Sequence, residues 1–296
     1  MTQRQLVAVD WGTTSLRGAR LDANGQVMEE RASAQGILSV KPGEFAGVFN
    51  SLFRDWMTSE SVLALISGMA GSQQGWAEAP YCPCPAGFDE IARRLAWLEP
   101  GRMAIVPGIS CEHPHGPDVM RGEEVQIFGA LQLTGLGDGW FVLPGTHNKW
   151  AQVKDGRVST FKTYMSGEFY ALLSQHSILS KTLDASAALD VPAFLDGVSL
   201  SQHEGGLLHH AFSTRTLGLF KRKTPGQLAS YLSGLVIGDE LRSQALTPGA
   251  DVVLIGSEAL TLRYTLALAH VGINARKLGA EATWAGLHAI AKTFQI

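Results

Sequence analysis

Three features of the sequence predict a two-lobed α/β fold, built by internal duplication around a central cleft. Strand and helix patterns alternate through Pro107, as in sheets covered by helices. The order strand, glycine–threonine turn, strand, Asx–Gly hairpin, strand, helix occurs twice, starting near residue 5 and again near residue 140. The 296 residues, 45% hydrophobic and 17% charged, suffice for one large domain or two ordinary ones, each with a real core.

Gln5 to Asp10 reads as a buried strand, and after the turn Trp11-Gly12-Thr13-Thr14 a second strand runs from Ser15 to Asp22. Asn24-Gly25 supplies a tight hairpin into a third strand, Gln26 to Ser33. Phe45, Val48, Phe49, Leu52, Phe53 and Trp56 form one apolar helical stripe. Strand Val62–Ser67, helix Phe88–Leu98 and strand Met103–Pro107 follow. A helix is expected over Val125–Leu133. The pattern then restarts with strand Trp140–Leu143, turn Pro144-Gly145-Thr146-His147, strand Asn148–Lys154, hairpin Asp155-Gly156, strand Arg157–Thr163 and helix Ser166–Leu179. Beyond Ser180 the chain is mainly helical. Thr224-Pro225 opens a long helix to about Gln244, proline fitting its first turn. Strand Asp251–Ile255, a helix entered through Gly256-Ser257-Glu258, a short strand Ile273–Lys277 and a helix from about Glu281 complete the reading. Residues 1–118 are assigned to an N-terminal lobe and 119–296 to a C-terminal lobe, with crossings near Val119 to Glu123.

Composition narrows the function. A net charge of −3 and a pI near 6.3 disfavour a nucleic-acid partner, whose phosphates call for a basic surface. The longest apolar runs fall far short of the roughly 20 residues of a membrane span, and no secretory core is apparent at the N-terminus. With three cysteines, an odd number, these features point to the cytoplasm. Cys82, Cys84, Cys111, His113 and His115 suggest a zinc site at first sight. The single residue between Cys82 and Cys84 is too short for the usual pairing, and a proline-stiffened loop is preferred.

Two loops carry the chemistry. In Val7–Asp22 a strand ends in Asp10 and turns through Gly12, offering backbone N–H groups and hydroxyls to a phosphate, while Asp10 can hold a magnesium ion through water. An ordinary hairpin with a capping aspartate is the plain alternative. The second loop, Leu143–Val153, repeats the arrangement and favours the phosphate reading. Arg121-Gly122-Glu123-Glu124 places two acids at a helix start, where they serve either as a general base or simply as N-terminal charges. Ser67 to Tyr81 is rich in glycine, amide, hydroxyl and aromatic groups, the composition of a sugar-binding loop. Ser72, Gln74, Trp76 and Glu78 are its expected contacts. Arg17 and Lys149 are candidate positive groups for a substrate carboxylate or a phosphate, or else solvated charges on strand faces.

These loops resemble the superfamily of sugar kinases, seventy-kilodalton heat-shock chaperones and actin, whose fold is actin-like (ribonuclease H-like) with a central nucleotide cleft. The first phosphate loop matches at Asp10, Gly12, Thr13 and Thr14, the second at Gly145 and Thr146, and the adenosine-side turn at Gly256-Ser257. The strings VDWGTTSLR, SGMAGSQQGWAEAPY, VMRGEEVQIFGA, LPGTHNKW, MSGEFYALL and YLSGLVIGDE, spread over almost the whole chain, resemble the 2-dehydro-3-deoxygalactonokinase family. The resemblance implies ATP and Mg2+ as cofactors and phosphoryl transfer to the terminal hydroxyl of a keto-deoxy sugar acid. It also implies a base at the helix start, Glu123 first and Glu124 as backup. The implied partner is a small sugar acid, with self-association into a homodimer left open. A same-fold kinase for another sugar acid, or a nucleotide-dependent binding module, are the rival readings.

Overall fold

The structure is a computed structural model describing residues 5–244 and 246–293. β1 (Leu6–Trp11) and β2 (Leu16–Leu21) pair antiparallel, and β2 pairs in turn with β3 (Val27–Ser33). Asp22 closes the second turn by accepting the N–H groups of Asn24 and Gln26 at 2.9 and 2.8 Å, and Gly25 takes the positive φ that the turn needs. α1 (Phe45–Phe53) buries Phe45, Phe49 and Phe53 in the core containing Val7, Val9 and Trp11 of β1. The predicted stripe extends to Trp56, which lies in the 3-10 turn that follows α1.

β4 (Leu63–Gly68) runs parallel to β1, placing Ser67 beside Asp10 and Gly68 beside Trp11. After β5 (Cys82–Pro83) comes α2 (Phe88–Ala92), which stops well short of the expected helix end at Leu98. Residues Ala96–Glu99 instead form β6, antiparallel to β7 (Met103–Ile105). A short apolar run fits either state, and here the exposed sheet edge decided it. β8 (Ile109–His113) and β9 (Gly116–Met120) form a hairpin that joins β5 in a small sheet, an element the sequence patterns did not announce.

α3 (Glu123–Thr134) leads to β10 (Gly139–Leu143), β11 (Asn148–Lys154) and β12 (Arg157–Tyr164). Then come α4 (Ser166–His176), α5 (Val191–Ser201), α6 (Gly206–Leu219) and α7 (Pro225–Arg242). α7 starts in a capping box: Thr224 Oγ1 accepts the Gln227 N–H, and Gln227 Oε1 accepts the Thr224 N–H. β13 (Asp251–Ile255), α8 (Glu258–His270), β14 (Asn274–Leu278) and α9 (Glu281–Lys292) follow.

The first sheet has the order β3-β2-β1-β4-β7-β6 and the second β12-β11-β10-β13-β14. In both, a hairpin-linked meander lies on one side of its own first strand and a later strand on the other, as the duplication predicts. By packing, the chain divides into two compact units. One comprises the chain through Phe141, Ala151–Lys162 and the segment from Leu278 on; the other comprises Val142–Trp150 and Thr163–Lys277. The sequence-based division at 118/119 follows chain order, whereas these units follow packing. In the first unit α3 and α9 cross closely: a Cβ on Gly129 would run into the Ala282 carbonyl, and one on Gly286 into that of Val125.

Candidate active site

In the first unit the candidate residues gather at the ends of β1 and β4 and the start of α3. Asp10, half-buried at the end of β1, accepts Arg17 Nε at 2.9 Å on Oδ2, with Arg17 Nη2 at 2.8 Å. Arg17 also donates to Thr283 Oγ1 at 3.1 Å and stacks over Trp284, so α9 and Asp10 hold its guanidinium. The turn after β1 is closed by the Gly12 N–H on the Ser15 carbonyl at 2.8 Å, and leaves Thr13 and Thr14 exposed. Ile37 and Leu38 donate to the carbonyls of Gly12 and Thr13 from behind, and Gly36 lies so close to the Thr14 backbone that no Cβ would fit.

Gly68 (φ 89°) and Gly122 (φ 105°) meet where β4 ends and α3 begins; a Cβ on Gly122 would lie 3.3 Å from Gly68 Cα. Both have the left-handed backbone that glycine adopts freely. This contact brings the turn at 121–124 up to Ser67 and Gly68, beside Asp10. Glu123 Oε2 accepts the Arg121 N–H at 3.0 Å, and Glu124 Oε2 the Gly122 N–H at 2.7 Å. Glu124 is fully buried. Burial, reinforced by the neighbouring Glu123 charge, pushes its carboxyl up to about 8, so it is protonated at neutral pH. Four buried atoms without a hydrogen-bond partner among the described residues gather here: Ser67 Oγ, Glu124 Oε1, and Arg121 Nε and Nη1. Arg121 lies over the Tyr81 ring and donates to the Ala79 carbonyl at 2.8 Å, clipping the loop after β4 to the start of α3.

In that loop Ser72 spends its hydroxyl on the Met69 carbonyl at 2.8 Å. Trp76 packs against Trp11 and Phe49 as part of the core. Gln74 and Glu78 are exposed, and Glu78 Oε1 accepts Gln73 Nε2 at 3.4 Å.

The second unit builds its own loop from the same pattern. The Gly145 N–H is capped by Asn148 Oδ1 at 2.7 Å, and Thr146 is exposed, its carbonyl accepting the Glu168 N–H at 3.0 Å. Gly167 sits against Gly145 and Thr146 with no room for a Cβ, so the start of α4 backs the turn. Lys149 is buried and donates to Thr163 Oγ1 at 2.8 Å. Gly256 approaches the Pro144 carbonyl, and Ser257 is the exposed cap residue of α8. A cavity of about 170 Å³ opens beside Gly145 and Asn148, walled by Ser166, Gly167 and Tyr170 of α4, Val236 and Ile237 of α7, and Leu260, Arg263 and Tyr264 of α8. No group of three or more histidine, cysteine or acidic side chains is assembled for a metal among the described residues, the Cys82–His115 segment included.

The family model for 2-keto-3-deoxy-galactonokinase matches residues 10–290, from the first of these loops to the last helix. The chain belongs to that family. A 2-dehydro-3-deoxygalactonokinase of Escherichia coli is similar at 32% identity over 98% of both chains. A Rhizobium meliloti protein designated a 2-dehydro-3-deoxygalactonokinase is 36% identical over 96% of both. A crystal structure from Sinorhizobium meliloti, described under the same activity, superimposes with a TM-score of 0.87 at 34% identity, covering 98% of each chain. Component A of the Acidaminococcus fermentans (R)-2-hydroxyglutaryl-CoA dehydratase shares the fold alone, with a TM-score of 0.52 at 11% identity over 97% of this chain and 96% of that one. The fold is the α/β, actin-like class that the sequence predicts.

Within this galactonokinase frame the structure singles out residues that sequence reasoning passed over. Gly36 and Gly167 back the two turns, Ser67 and Arg121 surround the acids, and Asn148 with Glu240 organises the second loop. For Glu240 a signal was present: it follows the long, mainly apolar run of residues 228–237 on α7, and of the acids Asp239 and Glu240 that end the run it is the buried one, where a charge needs a reason.

Proposed function

We propose that this chain transfers the γ-phosphoryl group of ATP to the terminal hydroxyl of 2-dehydro-3-deoxy-D-galactonate, giving the 6-phosphate. The observation that carries this reading is the family match running through both glycine–threonine loops and the acid pair at the start of α3. Gly12, Thr13 and Thr14 of the first loop, and Gly145, Thr146 and Lys149 of the second, are assigned to the phosphates. Gly256 and Ser257, next to Pro144, are assigned to the adenosine side.

Asp10 fits a magnesium ion: its Oδ1 accepts no hydrogen bond among the described residues, and one carboxylate with waters and phosphate oxygens is the usual magnesium shell. The ion, when bound, neutralises charge on the β- and γ-phosphates. Glu123 is the base. It is only half-buried, whereas Glu124 already holds its proton at neutral pH and cannot accept another. Glu123 takes the hydroxyl proton as the oxygen–phosphorus bond forms, and Arg121 N–H steadies its other oxygen. Gln74 and Glu78, exposed on the loop after β4, are assigned as sugar-acid contacts; Ser72 and Trp76 contribute through the loop's shape, and Arg17 through its ion pair with Asp10.

Coupled-enzyme measurement of ADP release over a panel of keto-deoxy sugar acids tests this reading. Release that depends on 2-dehydro-3-deoxy-D-galactonate is expected. Preference for another sugar acid makes the chain a kinase of different specificity, and ADP release without any sugar makes it a nucleotide-dependent module.

A further inference from the structure

Glu240 lies on α7, 3% exposed, and takes no direct part in phosphoryl transfer as described above. Burying a carboxylate is costly unless donors replace its water. Four do so. Trp150 Nε1 donates to Oε1 at 2.5 Å, while Asn148 Nδ2 at 2.8 Å, Tyr264 OH at 2.9 Å and Ser166 Oγ share Oε2. Asn148 Nδ2 also meets Tyr264 OH. The indole N–H and the amide NH2 are donors only, so they face an acceptor at Glu240.

Asn148 has two faces and uses both. Its Nδ2 points to Glu240 and its Oδ1 accepts the Gly145 N–H at 2.7 Å. Turning the amide over would set its oxygen against the Glu240 carboxylate and leave the Gly145 N–H facing a donor. The acid on α7 therefore decides which way Asn148 points, and Asn148 decides the shape of the turn. The same group ties β11, α4 and α8 together around the cavity beside Gly145, which Asn148, Ser166 and Tyr264 all line.

We propose that Glu240 is a positioning residue for nucleotide binding: through Asn148 it holds the second glycine–threonine turn, and with Ser166 and Tyr264 the adjoining cavity wall, in the form that receives ATP. The inference rests on the nucleotide use proposed above and not on the identity of the sugar acid.

Calorimetric titration with ADP of the wild type, Glu240→Gln, Asn148→Ala and the double variant tests it. Glutamine puts a donor among donors. Each single change is expected to weaken ADP binding about tenfold or more, the scale of one lost charge-assisted hydrogen bond. Because both act on one chain of contacts, the double variant should be no weaker than the worse single by more than about twofold. KM for the sugar acid should stay within about twofold, and urea unfolding of the variants should remain cooperative, which a general loosening would not leave intact. ADP binding by Glu240→Gln within about twofold of wild type, or losses that multiply in the double variant, overturns the proposal. Should Glu240→Gln not fold, Glu240→Asp, which keeps the charge but draws it away from Asn148, is measured with the same expected rise and the same refuting result. Sugar-dependent ADP release by the wild type is read separately, so failure of the kinase reading is distinguished from failure of this one.

Discussion

Replacing Glu124 by glutamine should make the protein more stable, and increasingly so as the pH rises. In the folded chain the carboxyl is buried and protonates at about 8, against an ordinary value of 4.5. Its Oε2 accepts the Gly122 N–H, which leaves the proton on Oε1, the atom without a partner. Glutamine reproduces that neutral shape. For the wild type, an acid raised on folding carries no penalty below about pH 4.5, where it is protonated in both states. Stability is then lost as pH climbs toward 8, because the unfolded chain ionises while the folded one still holds the proton. At about 1.4 kcal/mol per pH unit, the interval from 4.5 to about 8 amounts to roughly 5 kcal/mol at most, about half of it reached by pH 6.5. Glu240 is also raised by burial, but it is common to both proteins and cancels in the difference. Urea unfolding of wild type and Glu124→Gln at pH 5, 6, 7, 8 and 9 measures that difference directly. It should widen with pH and level off near 8. Parallel curves across the range would show that Glu124 ionises normally and that its burial is relieved in solution.

Other perturbations probe the same unit. Asp10→Asn should lose phosphoryl transfer by orders of magnitude while unfolding cooperatively; near wild-type turnover at saturating magnesium would remove Asp10 from the mechanism. Glu123→Gln should lower kcat by about 10² to 10⁴ with little change in KM for ATP, and Glu124→Gln should be milder at neutral pH. Steady-state kinetics that show the opposite order would move the base to Glu124. Gly129→Ala forces a methyl against the Ala282 carbonyl and should cost about 1 to 3 kcal/mol, read as a lower urea midpoint. An unchanged midpoint would mean that α3 and α9 separate freely.

What was legible in the sequence was what local chemistry decides. Asn24-Gly25 and Asp155-Gly156 fixed the two hairpins because a tight turn needs positive φ, which Gly25, Asp155 and Gly156 adopt. The stripe through Phe45, Val48, Phe49, Leu52 and Phe53 points to α1 because a strand would split Val48 and Leu52 from the phenylalanines, whereas a helix puts all five on one face. Residues 96–98 read as the end of a helix because so few residues carry too little periodicity to separate the two states; their hairpin with β7 joins the sheet through β4, far earlier in the chain, which the local pattern does not show. The site divides in the same way. Asp10, Gly12 and Glu123 announce themselves by position at the end of a strand or the start of a helix. Gly36, Ser67 and Glu240 matter only through what they touch, and nothing in their immediate neighbours says that Gly36 will lie on Thr14 or that an acid on α7 will face Asn148.

The place of α9 bears on how the protein is made. The first unit is assembled from three separated stretches of chain, and α9 supplies its last component. Thr283 and Trp284 hold Arg17, which holds Asp10, and α9 also carries the surface on which α3 seats. During synthesis, therefore, the strand bearing Asp10 emerges long before its support does. The second unit, apart from Val142–Trp150 a single run from Thr163 to Lys277, can condense while the first still waits. Arg17, and through it Asp10, thus lacks the support of Thr283 and Trp284 until α9 has been translated, and a chain truncated before α9 leaves that ion pair without its backing.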